Sequence, residues 1–242
     1  MDLLAKKTPS SWSDAFKKLA ERALGKIDGK QLWETYLSAL PPAYQALVSP
    51  RHALKDLLQL EQLTELKTNS LSILKPYKTT SHYRLHCYTQ QVHFLDEYLP
   101  VLENLHLRIL DQVQFTIFAK QTTYFIRSFT IQTANNYCSP LRLVSKPLLK
   151  TINDILTGHC ENDALNKLLV LTGMAWQEID VLRAYRNYFL QLDHNTTRAS
   201  VHHALISNPS VTVNLFKYFE ARFRPNPAWI DPVIREEQAL SH

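Results

Sequence analysis

Apolar residues change their spacing twice along this chain, and this change constrains the fold more than any other feature. Between residues 10 and 66 they recur every three or four positions, which is the period of an amphipathic helix. Over most of residues 67–133 a two-residue alternation takes over, as in half-buried strands. From residue 140 onward the helical spacing returns. The chain is therefore expected to carry a small sheet between two helical regions.

The first helical region is expected to hold three helices. Ser11 or Ser13 can cap the first one, and the second runs near residues 31–39 and ends before Pro41-Pro42. Ser49-Pro50 then starts the third helix, because proline suits the first helical position, where its missing N–H costs nothing.

The middle region reads as strand, strand, helix, strand, strand. Its second strand is indicated by Tyr83, Leu85 and Cys87, and its helix lies near residues 94–104. Two further strands follow, over residues 107–118 and 123–132. Four antiparallel strands with helices on one face form a small α+β sandwich, which is the fold class predicted here.

The last region contains the clearest helix of the chain. Apolar and aromatic side chains recur every three or four residues between residues 176 and 192, namely Trp176, Ile179, Leu182, Tyr185 and Phe189. Further helices are expected near residues 147, 163, 200–206 and 209–223, so that this region forms an all-α module.

Glycine is scarce, with four in 242 residues, at positions 25, 29, 158 and 173. Rossmann and P-loop sites need closely spaced glycines, so that backbone N–H groups can approach a phosphate. No such loop can be assembled from these four. We therefore expect no dinucleotide-binding site, no catalytic residue and no bound cofactor in this chain.

The cysteines, the charge and the hydrophobic runs indicate a cytoplasmic protein. Cys87, Cys138 and Cys160 form no C-x-x-C pair, which favours reduced thiols. The first residues lack the apolar stretch of a signal peptide, and no run approaches the roughly 20 apolar residues of a membrane span. The net charge of +5 is spread along the chain, which favours a mixed-charge surface over a nucleic-acid-binding face.

Histidine and cysteine residues offer weak candidates for chemistry. His82 and His86 are four residues apart, but in a strand they would lie roughly 13 Å apart, whereas zinc needs converging ligands. His159 and Cys160 are direct neighbours, whose side chains usually diverge, and no G-x-S-x-G nucleophile motif occurs. We expect neither a metal site nor a nucleophile.

The densest polar group lies on the last clear helices. Trp176, Arg183, Tyr185 and Arg186 share one helix, and Arg222 lies near the end of a later one. Two arginine side chains can bind a carboxylate or phosphate, or they can pair with acids of this helix or of another domain. We favour an interdomain contact over a small-molecule site.

Five short stretches occur in an order that is typical of one protein family. They are YLSALPPAY from Tyr36, SPRHALKDL from Ser49, LPVLENLHLRIL from Leu99, LTGMAWQEI from Leu171 with LRAY from Leu182, and FEARF from Phe219 after Asn208-Pro209. Together they cover roughly residues 12–225 and resemble the large bacterial NAD-specific glutamate dehydrogenases, around the third ACT-like module. Where that family usually has glycine, this chain has His106, at a helix end that favours a left-handed residue.

The resemblance implies a fold and a division of the chain. Residues 1–48 would be a helical lead-in, residues 49–135 an ACT-like (ferredoxin-like) domain with a four-stranded antiparallel sheet, and residues 136–242 a helical module. The natural polypeptide would extend beyond both ends and would carry its dinucleotide-binding catalytic domain elsewhere.

The resemblance also implies a role. The parent enzyme would convert glutamate and NAD to 2-oxoglutarate, ammonia and NADH in amino-acid catabolism. This segment would be a non-catalytic regulatory or scaffolding part of a cytoplasmic homo-oligomer. Its partners would be other domains and subunits, with an amino acid as possible effector and no nucleic acid or membrane. The alternatives are a free-standing ACT-like small-molecule sensor or adaptor, and a nucleic-acid-binding protein.

Overall fold

The computed structural model describes residues 11–66, 70–77, 79–133, 141–193, 195–224 and 231–241. Cys138 lies outside the described residues. Contacts divide the chain into two compact units. Unit 1 comprises Met1–Tyr77, Tyr83–His93 and Leu110–Thr130, and unit 2 comprises Lys78–His82, Phe94–Ile109 and Ile131–His242.

The helices of unit 1 begin and end close to the predicted signals. They are α1 (Trp12–Leu24), α2 (Lys26–Tyr36), a 3-10 turn (Leu37–Ala39), α3 (Pro42–Leu47) and α4 (Pro50–Leu66). Ser11 caps α1 as predicted, because its hydroxyl oxygen accepts a hydrogen bond of 3.1 Å from the Asp14 backbone N–H. Helix α2 begins earlier than the sequence pattern indicated, and the six-residue helix α3 was not predicted.

Gly29 allows α1 and α2 to pack with their backbones in close approach. A β-carbon at this position would lie 2.4 Å from the Glu21 backbone nitrogen, well inside any normal contact. The two helices then join the unit 1 core, whose fully buried members include Phe16, Tyr36, Tyr44, Leu57, Leu60, Leu63 and Tyr88.

The strands form one sheet in the order β1-β2-β4-β3. They are β1 (Ser70–Tyr77), β2 (Thr79–Thr89), β3 (Leu107–Ala119) and β4 (Thr122–Thr133). Lys120 and Gln121 connect β3 to β4, and both have positive φ values, 52° and 60°. Two positive φ values are the geometry of the tight hairpin turn that matches strand twist. The α+β class predicted from the sequence is confirmed.

Successive side chains of β2 point to opposite faces of the sheet, as in any strand. Tyr83, Leu85 and Cys87 are buried, as their alternation predicted. On the other face, Tyr88 is also buried and belongs to the unit 1 core. Both faces of this strand are therefore covered, which the alternation alone did not indicate.

The helices of unit 2 are α5 (Leu95–Asn104), α6 (Ser145–Leu156), α7 (Lys167–Thr172, after a 3-10 turn, Ala164–Asn166), α8 (Trp176–Leu192), α9 (Arg198–Ser207), α10 (Pro209–Phe223) and α11 (Pro232–Leu240). After α5, His106 has a φ of 62°, so histidine does adopt the left-handed conformation there. Within the described ranges no helix is both long and apolar enough to cross a bilayer.

Candidate functional site

Helix α8 places two arginines of the predicted group inside unit 2. Arg183 and Arg186 are one turn apart, and both are almost fully buried beside Ile179 and Leu182. Their spacing of three residues puts the two guanidinium groups on one face of the helix. The sequence pattern correctly brought them together, although it did not identify their partners.

Asp163 is the acid that both arginines share. Arg183 donates from Nε and Nη2 to Asp163 Oδ1 at 3.2 and 3.0 Å, and Arg186 donates from Nη1 to Asp163 Oδ2 at 2.6 Å. The same Oδ1 atom accepts a hydrogen bond of 3.0 Å from the Leu165 backbone N–H. Asp163 thus joins the start of the 3-10 turn to α8.

Other groups of unit 2 complete the arginine cluster. Arg183 also donates to Asn166 Oδ1 at 2.6 Å and pairs with Asp180. Arg186 donates to Asn187 Oδ1 at 3.1 Å and to His202 Nε2 at 2.7 Å. An imidazole nitrogen that accepts from a guanidinium belongs to a neutral histidine.

The protonation states in the cluster follow from these contacts. Burial alone would raise the pKa of Asp163, but the hydrogen bonds and charges of Arg183 and Arg186 outweigh it and hold that pKa below its usual value. Burial lowers the pKa of His202, and the nearby Asp163 carboxylate only partly opposes this. At neutral pH the cluster holds an ionised carboxylate, two guanidinium groups and a neutral imidazole, so its role is to fix α8 in place.

Tyr185 belongs to a different surface, which we call the aromatic face. Its ring meets the Phe219 ring edge-on, with centroids 5.8 Å apart, and Phe219 contacts Phe223 at 5.3 Å. Tyr188 and Phe223 are 62% and 54% exposed. The aromatic face therefore presents large apolar rings of α8 and α10 to the surroundings of unit 2.

Arg222 borders the aromatic face, whereas Trp176 does not contribute to it. The Arg222 guanidinium donates to the Tyr218 hydroxyl group and lies 3.6 Å from Glu236 Oε1. Trp176 donates from Nε1 to Asp154 Oδ2 at 2.6 Å, and the Lys150 ammonium lies 5.2 Å from its ring centroid. The five predicted residues thus separate into a buried pair, two residues at the aromatic face and one tryptophan anchored to α6.

Sequence reasoning missed Asp163, Asn166 and His202 as members of the cluster. The sequence indicated only a helix start near residue 163, and it assigned no role to Asn166 or His202. The available signal was weak, because a single acid before a helix usually caps it and nothing more. Among the described residues, no group of three or more potential metal ligands converges.

Comparisons with known proteins match the same part of the chain. The family model described as glutamate dehydrogenase, helical motif 3, matches residues 160–225, which contain the arginine cluster and the aromatic face. The model for glutamate dehydrogenase, helical motif 2, matches residues 18–63.

Three proteins with established names align with most of this chain. The chain is 26% identical over 221 residues to the NAD-specific glutamate dehydrogenase of Halomonas elongata, covering 90% of the chain and 14% of that protein. It is 26% identical over 217 residues to the enzyme of that name from Pseudomonas aeruginosa, covering 88% and 13%. For the Mycobacterium tuberculosis enzyme the identity is 22% over 227 residues, covering 90% and 14%.

The chain thus spans about one seventh of the length of these relatives. The two motif matches and the long alignments confirm the resemblance inferred from the sequence. This chain therefore matches one segment of the large NAD-specific glutamate dehydrogenases, and two parts of it match the models for their helical motifs 2 and 3.

Proposed function

We propose that this chain is a non-catalytic scaffolding and regulatory segment of an NAD-dependent glutamate dehydrogenase. The parent enzyme would oxidise glutamate with NAD to 2-oxoglutarate and ammonia, and other parts of the polypeptide would bind NAD and carry the catalytic groups. The chain corresponds to about one seventh of its relatives, so most of a parent enzyme lies outside it. The partners we propose are the other domains and subunits of a cytoplasmic homo-oligomer.

The observation that carries this proposal is the aromatic face of α8 and α10. Apolar residues that are exposed singly are common on protein surfaces, whereas clusters of exposed apolar rings mark protein contacts. The face also has a rigid base, because the arginine cluster joins α8 to the residues before α7. We propose that another part of the parent enzyme covers this face and that Arg222 lies at the rim of the contact.

The order of elements from α4 to β4 supports an ACT-like fold for the middle of the chain. It reads helix, strand, strand, helix, strand, strand, with β2 and β4 in the centre of the sheet. The β2-α5-β3 connection skips over β4, as in the split βαβ units of ferredoxin-like folds. We therefore keep residues 49–135 as the proposed ACT-like domain, between the lead-in and the helical module, with an amino acid as proposed effector.

The test uses the full-length enzyme with Tyr188 and Phe223 both replaced by serine. Mass photometry measures its assembly state, and initial rates measure glutamate oxidation. The expected result is a loss of assembly or a reduced rate, because the contact loses two rings from its apolar centre.

Ile27→Ser is the matched control, since Ile27 is an exposed apolar residue of unit 1, outside the aromatic face. This variant is expected to assemble and react as the wild type does. If the double variant also keeps both its assembly and its rate, the aromatic face is not a contact and the scaffolding proposal fails.

A further inference from the structure

A cavity of about 170 Å³ lies inside unit 1, lined by α4 and by all four strands. Because strand side chains alternate between faces, Arg84 and His86 of β2 reach the same cavity as Ser128 of β4 and Lys75 of β1. Helix α4 adds Asp56. The volume of the cavity is comparable to that of an engineered cavity of about 150 Å³ that binds benzene. A small molecule therefore fits.

Among the described residues that line this cavity, cationic side chains outnumber acidic ones. Lys75 and Arg84 bring two cationic groups, while Asp56 brings one carboxyl group. The Asp56 carboxylate already accepts hydrogen bonds of 2.8 Å from the hydroxyl groups of Tyr44 and Tyr88. Two cationic side chains near one carboxyl group attract a further negative charge. The lining thus favours an anionic ligand.

Burial disfavours the charged forms of two cavity groups, His86 and Lys75. Burial, together with the nearby charges of Lys75 and Arg84, lowers the pKa of His86 to about 3. Burial also lowers the pKa of Lys75, against the attraction of Asp56. His86 is therefore neutral at pH 7, with one nitrogen able to donate a hydrogen bond and the other able to accept one.

Two polar atoms of the cavity have no hydrogen-bond partner within the described part of the chain. They are Nδ1 of His86 and Oγ of Ser128, and both are shielded from solvent. Polar atoms in such positions are normally paired in folded proteins. A ligand that accepts from these groups would complete them, and a carboxylate has the required acceptor oxygens.

Apart from His52, the rest of the described lining is apolar. Val113 and Phe115 of β3 and Ile126 of β4 form these walls, together with the end of α3. A ligand that fills the cavity therefore needs an apolar body beside its charged group. We propose that this cavity is a binding site for a small organic carboxylate with a short apolar chain. This site is separate from the assembly role proposed above, since the chain alone can be tested for binding.

The experiment is calorimetric titration of the 242-residue chain with 3-methylbutanoate, its neutral amide, acetate and inorganic phosphate. The expected result is binding of 3-methylbutanoate, with at least about tenfold weaker binding of the amide, which lacks the charge, and of acetate, which lacks the apolar chain. If none of the carboxylates binds, the site does not exist. If phosphate binds as tightly as 3-methylbutanoate, the carboxylate assignment is wrong.

Three variants locate the binding. Lys75→Met removes one of the two cavity cations and is expected to weaken 3-methylbutanoate binding by about tenfold or more. Lys55→Met removes an exposed cation of α4 that does not line the cavity, and its affinity is expected to equal that of the wild type.

Ser128→Val fills the cavity without changing its charge, and it is also expected to weaken binding. Circular dichroism checks that each variant folds, so that loss of binding is not loss of structure. Undiminished binding by the folded Lys75→Met and Ser128→Val variants would overturn the assignment of the ligand to this cavity.

Discussion

Replacing Asp163 by asparagine tests whether the arginine cluster fixes α8. The substitution keeps the size of the side chain and one acceptor oxygen, but it removes the charge between two guanidinium groups. Arg183 and Arg186 are buried, and Asp163 itself is 11% exposed. Unit 2 should therefore lose a large part of its stability.

The expected magnitude follows from this burial. Removing one partner of a buried ion pair typically costs about 3–5 kcal/mol, because a charge remains uncompensated. Asparagine can still accept from one arginine, so the lower end, about 3 kcal/mol, applies here. The matched control is Asp180→Asn, because Asp180 also pairs with Arg183 but is 43% exposed. Partly exposed pairs contribute about 0–1 kcal/mol.

Hydrogen exchange measured by mass spectrometry reports the two units separately. A loss of about 3 kcal/mol raises the opening equilibrium of the α8 amides roughly a hundredfold. The amides of α1 and α2 in unit 1 are expected to keep their wild-type exchange rates and serve as the internal reference.

The two aspartate variants together test whether burial determines how strongly each ion pair stabilises α8. If Asp163→Asn and Asp180→Asn accelerate exchange of α8 equally, burial does not determine the strength of these pairs. If Asp163→Asn changes exchange by less than tenfold, the cluster contributes little to unit 2, and the aromatic face has lost its proposed rigid base.

Three further predictions follow from single residues. Gly29→Ala is expected to cost about 2–3 kcal/mol of unfolding free energy in urea, because its β-carbon would meet the Glu21 backbone at 2.4 Å, and a cost near zero would contradict that close approach. Burial raises the pKa of the Cys160 thiol to about 11, so only about 0.1% of the thiol is thiolate at pH 8. The rate of its iodoacetamide labelling, measured by peptide mass spectrometry, should therefore rise about tenfold per pH unit up to that pKa. His202 has a lowered pKa in the folded protein, so the unfolded form takes up its proton first and unit 2 should lose stability as the pH falls below about 6.5; urea titrations at several pH values should show a smaller loss for His202→Gln.

Much of the fold could be predicted because its signals are local. Ser11 caps α1, Pro50 begins α4, and the spacing of apolar residues marks α8. Each depends on residues within one or two turns of each other, where backbone hydrogen bonds and side-chain spacing decide the structure. The left-handed residue after α5 was also predictable, since the resembled family usually has glycine at the position of His106 and helices commonly end with a left-handed residue.

The arginine cluster could not be predicted because its partners are distant in sequence. Asp163 is 20 residues from Arg183, and His202 is 16 residues from Arg186. Spacing along the helix indicated that the two arginines share a face, but it did not indicate whether that face meets water, another domain or an acid of the same unit. Tertiary packing places this face against Asp163, which caps the 3-10 turn and also balances the charge of the two arginines.

The cavity of unit 1 was missed for a related reason. Alternation along β2 separates Tyr83, Leu85 and Cys87 from Arg84 and His86, and the polar side of such a strand is usually solvent-facing. Here α4 and the other strands enclose it, as the shared lining residues show. An alternating pattern defines two different faces, but it does not tell which of them the rest of the chain will cover.

The arginine cluster of unit 2 and the polar lining of the unit 1 cavity differ in how many of their polar atoms have hydrogen-bond partners. This difference distinguishes a cluster that stabilises the fold from a site that can bind a ligand. In the arginine cluster, Asp163, Asn166 and His202 each accept hydrogen bonds from a buried guanidinium group of the same unit. In the cavity, Nδ1 of His86 and Oγ of Ser128 have no hydrogen-bond partner among the described residues, and the described lining holds more cationic than acidic side chains. A network in which every polar atom is hydrogen-bonded stabilises a conformation without a ligand. In an incomplete network the unpaired polar atoms carry a free-energy cost, which a ligand can remove by pairing with them. We therefore expect mutations in the cluster to change stability first, and mutations around the cavity to change ligand affinity first.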